Sequence, residues 1–474
     1  MIGTIARKEL TEMLRDDRLR WSASLVLILL IGALMMGWRH YRDVEEQHET
    51  ARRATREHWL NQGTKNPHSA AHYGVYAFKP KQTLSLVDPG VDPYVGVAVW
   101  LEAHRQNEFV YRPAQDSTAI QRLGELTGAT VLQVLIPLMI ILFTFSSFAG
   151  EREQGILRHL LSLGIPPAKL AAGKALGVAL ALAALLVPAA ILGAGVLALT
   201  SGAGVFFARV AGVSVTYLVY FAILTMIALA VSAWAPNSRI ALVSLLAVWI
   251  LNSLVMPKAA SDFARRVHPT PSAFEFSQRV DSAIRNGIDG HDPQNKRMEE
   301  LKQRLLNEHG VQRVEQLPVN FSGISLQAGE EYSNQVYDRY YGELWDQFRR
   351  QERLHALLGF VAPLLPTRSL SMGFAGTDFA QHVDFARAAE EYRRMVQRKL
   401  NNDIAYNPAS RGSDRSFVYV RGRDLWEQIP DFTYHLPETG WIFRNHWLSV
   451  VMLGWWLVVA AYGLWIATRR LKAE

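Results

Sequence analysis

The sequence predicts an all-α polytopic membrane protein in which six transmembrane helices carry a large, mainly helical extracytoplasmic domain. Three observations predict it. The chain of 474 residues is 49% hydrophobic and 20% charged, and its apolar residues are gathered into six long blocks rather than spread evenly. Each block has roughly the 17–25 apolar residues needed to cross about 30 Å of hydrocarbon. The two long polar intervals, about 39–127 and 257–445, leave enough chain to fold outside the bilayer.

Taken in order, residues 1–20 read as an amphipathic elbow helix lying on the cytoplasmic surface, with Ile5, Leu10, Met13 and Leu14 set against alternating charge. Span one, 21–38, is bracketed by Trp21 and Trp38, whose amphipathic rings suit the interface. It reads as a retained anchor, because twenty mixed-charge residues precede it and no small-residue cleavage site follows. Residues 39–62 continue it as a polar helix projecting from the membrane. Spans two to six fall at 128–149, 175–200, 210–235, 239–256 and 446–467. Pro137 and Pro188 are candidate kink sites, and Gln133, Thr144, Ser146, Ser147 and Asn252 are the polar residues within spans. No span carries an interior charge, which argues against a secondary transporter with a proton relay.

Lysines and arginines in the short segments set the orientation. Arg7, Lys8, Arg15, Arg18 and Arg20, then Arg152, Arg158, Lys169 and Lys174, then Arg239, then Arg469, Arg470 and Lys472 mark one side; residues 200–208 on the other side carry none. Both termini, the tail 468–474 and the segment 150–174 are therefore expected in the cytoplasm, and both long intervals outside it. In the outer region, Tyr337, Tyr341, Leu344, Trp345 and Phe348 mark one helix over about 325–358. Phe379, Val383, Phe385, Ala389, Tyr392 and Val396 mark another over 376–403. The domain 257–445 is expected to pack on itself around Trp345 and Tyr392. The stretch "FVYVRGRDLW", 417–426, alternates as a short strand would.

Signatures of catalysis are weak. His68 and His72 have metal-ligand spacing on a helix, but Pro67 and Ser69 point to a turn and no zincin carboxylate follows. Asp289, Asp292 and Glu300 resemble a calcium loop, yet Gln294 stands where glycine is required. Glu330, Glu331, Asp378, Glu390 and Glu391 read as solvated helix-surface acids. There is no Gly-x-Ser-x-Gly, and Lys174 lacks the glycine and hydroxyl of a phosphate loop. No catalytic residue, metal or cofactor is expected in this chain. The absence of cysteine excludes disulfides and thiolate metal sites. The net charge of +7 is scattered among acids, which suits a membrane surface and lipid rather than nucleic acid.

The segment "GEREQGILRHLLSLGIPPAKLAAGK", 150–174, is charged, helical for about three turns from 150, and stopped by Pro166-Pro167. Such a helix is too short to cross the bilayer, so its apolar face must meet the interface or a partner. With the elbow helix before span one, this order resembles the permease subunit of type-2 ABC transporters. There the Glu-x-Glu-x-Gly-x-Leu…Leu-Leu…Pro…Gly-Lys segment is the coupling helix that docks on the nucleotide-binding subunit. The resemblance falls on Glu151, Glu153, Gly155, Leu157, Leu160, Leu161, Pro166, Gly173 and Lys174, with Lys8, Leu10, Leu14 and Arg15 on the elbow helix; Ile156 departs from the family's usual Thr. Residues 317–338 and 369–403 resemble a permease subgroup with a large extracytoplasmic insertion of uncharacterised function before the last span.

The resemblance implies a non-catalytic permease, an exporter, of a bacterial inner membrane. Its partners would be an ABC ATPase subunit that binds ATP and Mg²⁺, a second permease copy or paralogue, and a periplasmic or envelope partner for the outer domain. Two alternatives stand beside it: an ABC-type mechanotransmission or scaffold protein that moves no solute, and a membrane-anchored extracytoplasmic enzyme.

Overall fold

A computed structural model describes residues 1–110, 112, 126–198, 203–411 and 419–471. The fold is all-α and polytopic, and among the described residues six helices are long and apolar enough to cross a membrane: Asp17–Leu60, Gly128–Glu153, Pro167–Gly195, Phe207–Trp234, Ser238–Val267 and Thr439–Arg469. Span two is the centre of the bundle. Of its most apolar window 61% is buried, against 17% for span one.

The N-terminal helix, Ile2–Arg15, stops at Asp16, whose extended backbone breaks the helix and whose side chain accepts from Arg18 N and Leu19 N to cap the next one. That next helix runs without interruption for 44 residues. At 1.5 Å per residue it is about 65 Å long, twice a hydrocarbon core, so its second half stands clear of the membrane as expected.

Two spans contain the same device. In span two a π turn, Val131–Leu135, immediately precedes Ile136-Pro137. In span five a π turn, Leu251–Val255, precedes Met256-Pro257. Proline lacks an N–H and its ring crowds the carbonyl one turn back, and widening the turn absorbs both. Pro257 lies beyond the predicted end of span five, and the helix continues through it to Val267. Pro188 sits inside the helix Pro167–Ala198. Span six begins at Thr439, earlier than expected, and departs from helical geometry at His446 (φ −111°, ψ 18°). There the imidazole is held between Asp378 Oδ2 at 2.7 Å and Ser369 Oγ at 2.9 Å.

The outer domain departs most from expectation, because both long intervals build one core. Residues 75–110 form a three-stranded antiparallel sheet, β1 (Val75–Phe78), β2 (Ala98–Leu101) and β3 (Gln106–Val110), in the order β1-β2-β3. Its inner face packs with Trp59 against Phe385, Ala389, Val396 and Leu400 of the helix Phe379–Tyr406, and against Trp426. Trp59 Nε1 donates to Trp426 O at 3.0 Å, and Trp426 Nε1 donates to Gly63 O at 3.1 Å. The domain before span six therefore does not pack on itself alone. Tyr392 borders this core, whereas Trp345, on the helix Phe321–Leu357, is only half-buried and meets Tyr341 at a tilt of 47°. The strand expected over 417–426 is not formed at the described residues 419–426. Arg421 bridges Lys65, and Arg423–Trp426 make one helical turn; 417 and 418 lie outside the described residues.

Candidate functional site

The face of the bundle where the N-terminal helix meets spans three and six is organised around the start of span three. The N-terminal helix lies across it, and Gly173 and Gly177, one turn apart, make the crossing close. A Cβ on Gly173 would fall 2.5 Å from Ile5 Cβ, and one on Gly177 would fall 2.7 Å from Glu9 Cβ. Small residues at four-residue spacing allow this approach between membrane helices.

Lys174 sits in the same seam, 1% exposed, with its Nζ 2.7 Å from Glu9 Oε1 and 2.9 Å from Glu151 Oε1. Lys8 Nζ reaches the same Glu151 oxygen at 2.9 Å and Glu12 Oε2 at 3.1 Å. Burial alone would lower the Lys8 ammonium, but the Glu151 and Glu9 carboxylates more than offset it and hold it above the ordinary lysine range. Two lysines thus share one carboxylate, and three segments distant in sequence are joined by charge. Glu9 is the residue that sequence reasoning missed. Its signal was positional: Ala6, Glu9 and Met13 follow helical spacing and form the buried face of the helix. Of the expected elbow residues, Lys8 joins the site, Leu10 is half-buried against the bundle core, and Leu14 and Arg15 are exposed.

The segment after span two is not the single helix that the sequence suggests. It breaks into Ala149–Glu153 and Ile156–Ser162 around Gly155, whose φ of 75° is left-handed. A Cβ there would meet nothing within 4 Å, so the glycine is required by backbone conformation rather than by close packing within the chain. Arg152 donates to the carbonyls of Ala233 and Ala235, and Ser238 donates to Glu153 Oε2 at 2.6 Å, tying the first piece to the turn between spans four and five.

The second piece faces the opposite way from the expectation. Leu157 is 3% exposed, in a cluster with Phe148, Leu170, Leu229 and Ala467, and Leu160 and Leu161 pack partly against it. The apolar face is turned into this chain. What remains outward is Ile156 and Leu163, 40% and 65% exposed, flanked by exposed Arg158 and His159. Pro166 is exposed, and its carbonyl accepts from Lys169 N and Leu170 N to start span three.

Within the bundle, Gln133 and Asn252, one on each π turn, bond across helices. Gln133 Nε2 donates to Tyr217 Oη at 3.0 Å, and Tyr217 Oη lies 2.9 Å from Ser371 Oγ, which donates to Asp88 Oδ2 at 2.6 Å. Asn252 Nδ2 donates to Tyr220 Oη at 3.0 Å and its Oδ1 accepts Leu364 N at 3.1 Å. Thr144 and Ser147 instead bond carbonyls of their own helix, and Ser146 is exposed. The cavity among spans two, four and five, lined by Pro137, Leu224, Trp249 and Asn252, holds about 20 Å³, roughly one water.

The outer domain holds a second constellation. Pro67 begins a helix, Pro67–Tyr73, capped by Asn66 Oδ1 accepting His68 N at 2.9 Å, so His68 and His72 sit one turn apart on a helix and not in a turn. The β2–β3 connection brings His104 to them. The acids expected to be solvated divide: Glu330, Asp378 and Glu390 are buried, while Glu331 and Glu391 are exposed. Glu330 pairs with Arg393 at 3.0 Å, and Arg393, 1% exposed, also binds Glu390 at 2.8 Å and donates to Asn334 Oδ1 at 2.6 Å. Burial alone would raise the Glu330 carboxyl. The His104 hydrogen bond and the Arg393 charge outweigh it and bring the group down to about 2.

These features define a six-helix polytopic membrane protein with a composite outer domain. Residues 273–435 match the model of a family described as a domain of unknown function, DUF3526. The stretches 317–338 and 369–403 both lie within that match. No curated protein matches the chain.

Proposed function

We propose that this chain is the membrane-spanning permease subunit of an ATP-driven ABC exporter, set in a bacterial inner membrane with both termini cytoplasmic and paired with a separate ATPase subunit. The observation that carries the reading is the clamp of Lys8, Glu9, Glu151 and Lys174. It fixes the N-terminal helix and the segment after span two to the base of span three. Beyond Gly155, the short helix Ile156–Ser162 is seated on the bundle by Leu157 and presents Ile156, Arg158, His159 and Leu163 outward beside the clamp, the kind of surface an ATPase needs in order to push on the spans. ATP and Mg²⁺ would be held by that partner, and a second copy or paralogue of this chain would complete the pathway.

One observation favours mechanotransmission as a second reading. The helix of span one continues unbroken to Leu60, where Trp59 enters the outer-domain core. A stroke at the base can therefore reach the outer domain through one rigid element, with little room among spans two, four and five for a solute.

Purification from native membranes, followed by mass spectrometry and an ATPase assay, tests the shared part of both readings. A Walker-motif chain in stoichiometric amount with ATP hydrolysis is expected; a chain purified without one contradicts both. Reconstituted vesicles then separate them. ATP-dependent solute movement supports the exporter, and coupled ATP hydrolysis with outer-domain motion but no flux supports transmission.

A further inference from the structure

Three imidazoles converge on the outer domain, and we infer that His68, His72 and His104 form a binding site for a first-row divalent transition-metal ion, with zinc as the fitting probe. His68 Nε2 lies 3.2 Å from His72 Nε2 and 3.3 Å from His104 Nε2, and the three ligand atoms all fall within 4.8 Å of one another. Zn–N bonds of about 2.0–2.1 Å in tetrahedral array place neighbouring nitrogens about 3.3 Å apart. The same Nε2 atom of each ring points inward, so one ion can take all three, and one coordination position is left for water or an incoming donor. Imidazole sets of this kind suit zinc and copper far better than calcium or magnesium, which take oxygen.

The surroundings are those of a built site. His104 Nδ1 lies 2.7 Å from Glu330 Oε1, which fixes the ring so that Nε2 faces the other two histidines. A carboxylate behind a ligating histidine is the usual outer-shell partner of such metals. Glu330 is itself positioned by buried Arg393. The backbone of His104 is held as firmly: its N–H donates to Glu330 Oε1 at 2.7 Å and its carbonyl accepts Tyr337 Oη at 3.0 Å. It is the one non-glycine residue with positive φ, at 65°, among the described residues. A side chain kept in that costly conformation is held there by its surroundings, and such positions cluster at functional sites.

The site joins both outer segments, since the three histidines precede span two and Glu330 lies in the stretch that matches the family of unknown function. It does not depend on the transport reading. His72 is exposed, so an ion has access from the aqueous side.

The test is titration of the full-length protein, stripped with chelator in detergent, against Zn²⁺ in competition with a chromophoric chelator. Co²⁺ spectra supply the geometry. One zinc per chain is expected, with affinity falling at least 100-fold in both His72→Ala and His68→Ala and about 10-fold or more in Glu330→Gln. Cobalt should give the intense visible absorption of a tetrahedral site. His72→Ala removes an exposed side chain, so its metal-free melting temperature should match the wild type and separate lost binding from lost fold. Zinc bound equally by wild type and His72→Ala, zinc bound by neither, or a weak octahedral cobalt spectrum would each overturn the site.

Discussion

Lys174 Nζ lies 2.7 Å from Glu9 Oε1, across 165 residues of sequence, in a seam where both side chains are buried. The pair is one edge of a four-member network, since Lys8 Nζ lies 3.2 Å from the same Glu9 oxygen and Lys174 also binds Glu151, so removing Lys174 leaves two buried carboxylates with only the partly exposed Lys8 between them. Lys174 is thus the buried member that fastens the N-terminal helix to span three.

Lys174→Met should release that helix and leave the six spans inserted. In a Met13→Cys background, a buried position that accepts the smaller side chain, maleimide labelling should be slow with Lys174 and at least 10-fold faster without it. Equal labelling in both backgrounds would mean that packing at Gly173 and Gly177 holds the helix without the charges.

The segment after span two separates two kinds of leucine. Leu157→Asp places a charge in the cluster around Phe148 and Leu170, at a cost of several kcal/mol, and should lower the amount of folded protein. Leu163→Asp alters an exposed position, so abundance should stay near normal while affinity for the proposed ATPase partner falls by roughly 100-fold, the equivalent of about 2.7 kcal/mol. Quantified copurification checks both. Identical behaviour of the two variants would contradict the assigned facing.

The outer domain should not survive division. Residues 258–443 expressed alone lack Trp59 and the sheet, so the fragment should be expanded and poorly helical by circular dichroism and gel filtration. Residues 39–110 supplied on a linker should restore it. In the full chain, Trp426→Ala should cost about 3–5 kcal/mol through lost packing against Trp59. A compact, cooperatively melting 258–443 fragment would refute the composite core.

Within the bundle, Asn252→Ala leaves Leu364 N without its acceptor and should cost roughly 1–2 kcal/mol, near the upper end for polar contacts between membrane helices. Thr144→Val serves as control, since Thr144 bonds only its own helix. The melting temperature in detergent should fall by a few degrees for the first and stay within a degree for the second.

What was legible in the sequence follows from the range of the interactions concerned. All six spans could be read because roughly twenty apolar residues are a local signal, and so could the long helices at 321–357 and 379–406, whose periodicity repeats many times. The sheet was not legible: its strands are four or five residues long, and their partners lie partly in a helix some 300 residues away. The break at Gly155 was hidden because a single glycine in a helical pattern is commonly tolerated. Of the base cluster, Lys8, Glu151 and Lys174 were marked by the family resemblance, but Glu9 acquires its meaning only when span three is laid beside it. The histidines show the same limit. His68 and His72 were visible as a pair, and His104 reaches them only through the β2–β3 connection.

The most direct test of the account uses the absence of cysteine in the native chain, which makes every introduced thiol unique. Leu163→Cys and Leu157→Cys would each be treated in native membranes with a maleimide–photoreactive crosslinker, and the adducts identified by mass spectrometry. The account predicts that Leu163→Cys joins a Walker-motif ATPase chain, with a yield that changes when ATP is added, and that buried Leu157→Cys gives no such adduct. An ATPase adduct from Leu157→Cys but none from Leu163→Cys, or none from either in membranes where an ATPase copurifies, would contradict it.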